Sequence, residues 1–178
     1  PHRCSTSTMT VGITTSRRSR NAAPSVPAET VEASGRLRRI LLAVDGSSVS
    51  DRATQRLIAM RQDLADPAEL TLHLLNVQRP VSGDVSSFVA SKTLDEYYQE
   101  QSDAALVASR TMLDAAGVPY ELHSRVGSPG ETIAQAAVER GCDLIVMGTS
   151  GVGMSASLLG SVAQATISQS AVPVMLVK

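Results

Sequence analysis

The residues of this chain best suited to chemistry are glycines set at the ends of apolar runs. Leu144-Ile145-Val146-Met147 stops abruptly at Gly148-Thr149-Ser150-Gly151, and Gly160-Ser161-Val162 then opens a helical pattern. Asp45-Gly46 closes an earlier apolar run, Ile40 to Val44. Glycines at a strand's carboxyl end and a helix start let backbone N–H groups approach an anion closely. The helix dipole favours negative charge at the same place. An α/β domain holds nucleotide phosphates in this way. The competing reading makes these glycines plain turn residues.

Other chemistries find no support in the sequence. Gly151-Val152-Gly153-Met154-Ser155-Ala156 fits a dinucleotide-binding string, but Gln169-Ser170-Ala171 stands where an acidic ribose partner belongs. No Gly-Lys-Ser/Thr exists for a Walker A loop, and Val152 replaces the glycine that a nucleophile elbow needs after Ser150. His73 and His123 fall inside expected strands without ligand-spaced partners and read as ordinary strand residues, so neither a metal ligand set nor a catalytic residue is assigned. Cys4 and Cys142 give no disulfide framework; Cys142 reads as a small buried hydrophobe.

The elements that must position the glycines alternate strictly. Ile40 to Val44 reads as a buried strand, and Ser47 or Ser48 caps a helix with Ala53, Leu57, Met60 and Leu64 at helical spacing until Asp66-Pro67 breaks it. Leu70 to Val77 is a second strand. A polar loop from Gln78 to about Lys92 precedes a long helix whose expected face is Leu94, Tyr98, Gln101, Ala105, Ala108 and Met112, closed by Gly117. Tyr120 to Val126 alternates as a third strand. Ser128-Pro129-Gly130-Glu131 reads as a capping box with proline at N1, opening a helix that Gly141 ends. Leu144 to Met147, a helix from Leu158 to about Gln169, and a strand from Val172 to Val177 complete the pattern. Such alternation implies an α/β fold, a single doubly wound five-stranded parallel sheet with helices on both faces. Ligands of these sheets sit outside the strands' carboxyl ends where the winding reverses. With strand order 3-2-1-4-5, Asp45 and Gly148 face each other across that crevice.

Composition bounds the remaining choices. The 178 residues suffice for one domain, and with 2% aromatics, no Trp and one Phe the core must be aliphatic. Aromatic stacking platforms for single-stranded nucleic acid are therefore absent. Five arginines and two glutamates lie in residues 1–36, leaving 11 basic and 15 acidic residues in 37–178 and no basic surface for DNA. No apolar run reaches membrane-span length and no signal-peptide core is present, so the expected location is cytoplasmic, away from membranes. Residues 1–36 lack hydrophobic periodicity and read as a disordered tail, loosely like an organellar transit peptide in composition, or as an over-extended start with Met9 a candidate initiator. The domain spans 37–178.

Taken together, five segments resemble the universal stress protein family: Ile40-Leu-Leu-Ala-Val-Asp-Gly-Ser47, Leu74-Leu-Asn-Val77, Val126-Gly-Ser-Pro-Gly-Glu-Thr-Ile133, Met147-Gly-Thr-Ser-Gly151 with Leu158-Leu-Gly-Ser-Val162, and Ala171-Val-Pro-Val-Met-Leu-Val177. The resemblance covers about Arg38 to Lys178. It implies an adenine-nucleotide α-hydrolase-like sheet, often dimeric, in a family divided between ATP binders and nucleotide-free proteins. In the binders, positions matching Asp45 and the Val77 backbone hold the adenosine end, and those matching Gly148, Gly151, Gly160, Ser161 and Val162 surround ribose and phosphates. Ala43 and Met147, beside them on the two strands, complete the nucleotide-binding set. Two departures stand out: Val152 to Leu159 make eight residues where the binders have nine, and Val152 occupies a commonly basic position. Triphosphate charge would then rest on backbone donors, Ser155, Ser157, the helix dipole and a metal ion such as Mg²⁺. Two functions follow as expectations: an ATP-binding stress-response regulator without catalytic machinery, or a nucleotide-free homodimeric interaction module. The apolar closing strand, at a sheet edge, is the expected dimer contact.

Overall fold

The computed structural model describes residues 37–64, 66–81, 91–151 and 159–178. The tail, Ser155, Ser157, the start of the last expected helix at Leu158 and most of the shortened loop lie outside the described residues. Five parallel strands form one sheet in the order β3-β2-β1-β4-β5: β1 (Arg39–Ala43), β2 (Thr71–Gln78), β3 (Glu121–Val126), β4 (Leu144–Gly148) and β5 (Val174–Val177). The helices are α1 (Ser48–Gln62), α2 (Ser91–Ala115), α3 (Pro129–Glu139) and α4 (Ser161–Gln169), with a single 3-10 turn at Pro67–Glu69 where Asp66-Pro67 ends the first helical unit.

Buried-strand sequences place apolar side chains on both faces. Ile40, Leu42, Leu72, Leu74 and Val146 pack under Ala53 and Leu57 of α1 and Leu106 and Leu113 of α2. On the other face Leu41, Leu75, Ile145 and Met147 meet Ile133, Ala136 and Ala137 of α3 and Ala163 of α4. Cys142 joins this second cluster, where burial first and the Asp143 charge second push its thiol up to about 11, an inert small hydrophobe.

Three local expectations are corrected. On α2, Ser102, Leu106, Ser109 and Leu113 are buried, whereas Gln101 and Ala108 are exposed. The face is turned by one residue because two serines point inward: Ser109 Oγ lies 2.9 Å from Thr54 Oγ1, and Ser102 hydrogen-bonds Ser124. Small hydroxyls that find partners are tolerated in a core, and they hid the stripe. Ser128 sits at the N-cap of α3 with Pro129 at N1, yet its hydroxyl makes no cap bond. Nor are His73 and His123 isolated. The β2–β3 register sets His73 opposite Glu121 and Leu75 opposite His123, so both rings and the carboxylate share one face and touch.

Candidate functional site

Strand β1 ends into an Asx turn. Asp45 Oδ1 accepts from the Ser47 N–H at 3.0 Å, Gly46 takes a φ of +78°, and Ser47 Oγ accepts from the Ser50 N–H to cap α1. The other carboxylate oxygen turns toward strand β4. A Cβ on Gly151 would stand 2.5 Å from Asp45 Oδ2, so a side chain there would push the Asp45 carboxylate out of its present position. Next door, the Thr149 N–H donates to Val177 O and the Gly160 N–H to Thr149 O. These bonds tie the β4 turn to the end of β5 and to the start of α4.

The result is a cleft of about 490 Å³ at the carboxyl edge of the sheet, within the size range of small-molecule sites. The sequence-selected residues that the structure describes line it: Ala43, Asp45, Val77, Met147, Gly148, Gly151, Gly160, Ser161 and Val162. One wall is the N-terminus of α4, whose first N–H groups have no intrahelical acceptor, while Gln164 N–H closes the first turn on Gly160 O. Asn76 stiffens the floor: its Nδ2 donates to Val44 O at 2.8 Å and its Oδ1 accepts from Gln78 Nε2, locking β1 to β2 where both end.

Thr149 and Ser150 were not singled out in the sequence, yet they say most about what the cleft takes. Both line it, both are buried, and neither Thr149 Oγ1 nor Ser150 Oγ has a hydrogen-bond partner among the described residues. Buried hydroxyls are seldom left unmatched, and here they stand beside a helix N-terminus. Arg79 is the second omission: it follows β2 and is the only cationic lining residue among those described. Its sole sequence signal is that it lies two residues beyond Val77. Tyr97 and Tyr98 of α2 also reach the rim, and Tyr98 Oη accepts from the Val81 N–H at 2.7 Å.

Comparison with known proteins places this geometry in context. The model of the universal stress protein family matches residues 36–178. The chain belongs to the universal stress protein family. It is 30% identical over 148 residues to the universal stress protein MJ0531 of Methanocaldococcus jannaschii, covering 79% of this chain and 82% of that one. A universal stress protein of Thermus aquaticus is 33% identical over 141 residues, with 78% and 97% covered. Among solved structures, the protein MJ0577 superposes with a TM-score of 0.67 at 27% identity, over 80% of this chain and 96% of that one. A universal stress protein crystallised in complex with cAMP gives a TM-score of 0.57 at 28% identity, with 80% and 97% covered.

Proposed function

We propose that this protein is an adenine-nucleotide-binding regulator of the stress response that holds ATP in the cleft between β1 and β4. The observation that carries the reading is the pair of unpartnered buried hydroxyls, Thr149 and Ser150, beside the N-terminus of α4. Hydroxyl donors and free helix N–H groups together suit a phosphate. In this reading Asp45 and the Val77 backbone take the adenosine end, and Ala43 and Met147 supply apolar surface. Gly148, Gly151, Gly160, Ser161 and Val162 surround ribose and phosphates. The similar protein crystallised with cAMP supports an adenine ligand. Asp45 is the only carboxylate lining the cleft among the described residues, and no His, Cys or Lys lines it there. The proposed role is therefore binding, in the cytoplasm, rather than reaction; among the described residues no helix is long and apolar enough to cross a membrane.

Isothermal titration with ATP, AMP and cAMP, with and without Mg²⁺, tests this directly. Saturable 1:1 binding of an adenine nucleotide is expected. Silence toward all three at millimolar concentration would leave the nucleotide-free interaction module instead. Arg79 is exposed and acts as a screened cation. Arg79→Ala should weaken ATP by about two- to fivefold and AMP less, with the difference fading as salt rises.

The same proposal includes a two-fold homodimer through β5. Among the described residues this strand pairs with β4 on one side only, and Val174 to Val177 are half-buried in the single chain. An apolar edge strand invites a second copy. Light scattering at micromolar concentration should give twice the 18.7 kDa chain mass, and a monomer there would exclude the contact.

A further inference from the structure

Away from the cleft, the β2–β3 register assembles three potential metal ligands from residues that are far apart in sequence. His73 Nδ1 and His123 Nε2 are 3.2 Å apart, His73 Nδ1 and Glu121 Oε2 are 3.3 Å apart, and His123 Nε2 and Glu121 Oε2 are 3.8 Å apart. Ligand atoms held at about 2.0–2.2 Å from a tetrahedral zinc ion stand ~3.3–3.6 Å from one another. The three atoms thus already form, within a few tenths of an ångström, one face of a zinc tetrahedron, and they do so on a backbone ladder rather than on loops. None of them lines the nucleotide cleft.

The charged groups around this face are the Glu121 carboxylate on one side and the guanidinium groups of Arg39, Arg125 and Arg140 on the other. His73 is buried, its Nε2 has no hydrogen-bond partner among the described residues, and its Nδ1 faces His123 Nε2 and Glu121 Oε2, contacts that a shared metal ion would replace. Arg140, the C-cap residue of α3, is what now occupies the approach. Its Nε donates to His123 Nε2 at 3.1 Å, and its Nη2 lies 2.9 Å from His123 Nδ1. Glu139 Oε2 lies 3.9 Å from Arg140 Nη1, but it already accepts from Arg125 Nη2 at 2.6 Å, so a displaced Arg140 would share that carboxylate.

We propose that His73, Glu121 and His123 form a zinc-class divalent metal site that clasps the edge strand β3 to β2, with Arg140 as a displaceable competitor for the metal's place. Two imidazoles and a carboxylate are a borderline-soft set, which favours Zn²⁺ over Mg²⁺ or Ca²⁺. The fourth position is left to solvent.

The test uses tag-free full-length protein without nucleotide, titrated with ZnCl₂ at pH 7.5 against a competing chelator, and with Co²⁺ followed by its visible bands. One zinc per chain is expected, together with a raised melting temperature and the intense visible bands of four-coordinate Co²⁺. His73→Ala and His123→Gln should each weaken zinc by roughly 100-fold, since loss of an outer-shell partner alone costs about 10–100-fold. Glu121→Gln should also weaken it, and Arg140→Ala should tighten it. His123 is only half-buried, so its variant keeps the test valid if the His73 variant fails to fold. Two results overturn the site: no zinc uptake by the wild type, even if Arg140→Ala binds, or wild-type uptake that survives both histidine substitutions. The second would place the zinc elsewhere in the chain, for example on His2 or Cys4.

Discussion

Asp45→Ala should weaken adenine-nucleotide binding by about 10- to 100-fold, whereas Asp143→Ala should leave it within about twofold. Asp45 ends β1 at the cleft, with one oxygen spent on the Ser47 N–H and the other facing Gly151. A ligand hydroxyl meeting that second oxygen makes a charge-assisted bond, for which about 1.5–3 kcal/mol is typical. Asp143 stands at the opposite end of the sheet. Its Oδ2 accepts from the N–H groups of both Arg38 and Arg39 at 2.8 Å, which pins the start of β1 to the start of β4. Removing that carboxylate should lower unfolding stability by about 1–2 kcal/mol without touching the ligand. Titration calorimetry and denaturant unfolding of the two variants separate the effects. Equal losses of affinity would mean that the ligand is not held at the carboxyl edge.

The contrast between these aspartates is legible in the sequence, because each flanks an apolar run and the alternation of runs gives each strand a direction. The order of the strands is an assumption about the winding, and the sheet adopts it. Reading by pattern failed where side-chain chemistry ran against polarity. Ser102 and Ser109 look like surface residues, but hydroxyl partners on β3 and α1 let them face inward, and the α2 stripe was displaced accordingly. His73, Glu121 and His123 show a different limit. Their meeting depends on the β2–β3 register, and no spacing within either strand encodes which residue of the other strand it will face. Arg79 and the hydroxyls of Thr149 and Ser150 are a third case. Each adjoins a recognisable strand end, yet whether it points into the cleft depends on turns that only the folded backbone specifies.

Gly160→Val should abolish nucleotide binding while leaving a folded protein, and the cause lies in the packing of backbone on backbone. The angles at Gly160, φ −66° and ψ 153°, suit any residue, so space rather than conformation selects glycine. A Cβ there would stand 3.3 Å from both Ser150 Cα and Thr149 O, and the Gly160 N–H is bonded to that same oxygen at 2.8 Å. One carbon already requires the Thr149–Gly151 turn to give by a few tenths of an ångström; the two methyls of valine require more. The turn carries both unpartnered hydroxyls and the glycine against Asp45, so its displacement moves three elements of the cleft together. Overpacking of this kind costs about 1–3 kcal/mol, which a stable domain survives. Far-UV circular dichroism should therefore stay near wild type, with a lowered melting temperature and no calorimetric signal for ATP. Ser161→Ala is the matched control, because it removes a hydroxyl from the start of α4 and leaves the backbone donors in place. It should cost about 0.5–1.5 kcal/mol of binding, or up to roughly 3 if the hydroxyl meets a charged phosphate. If Gly160→Val bound ATP as tightly as the wild type, the phosphates could not lie against this turn.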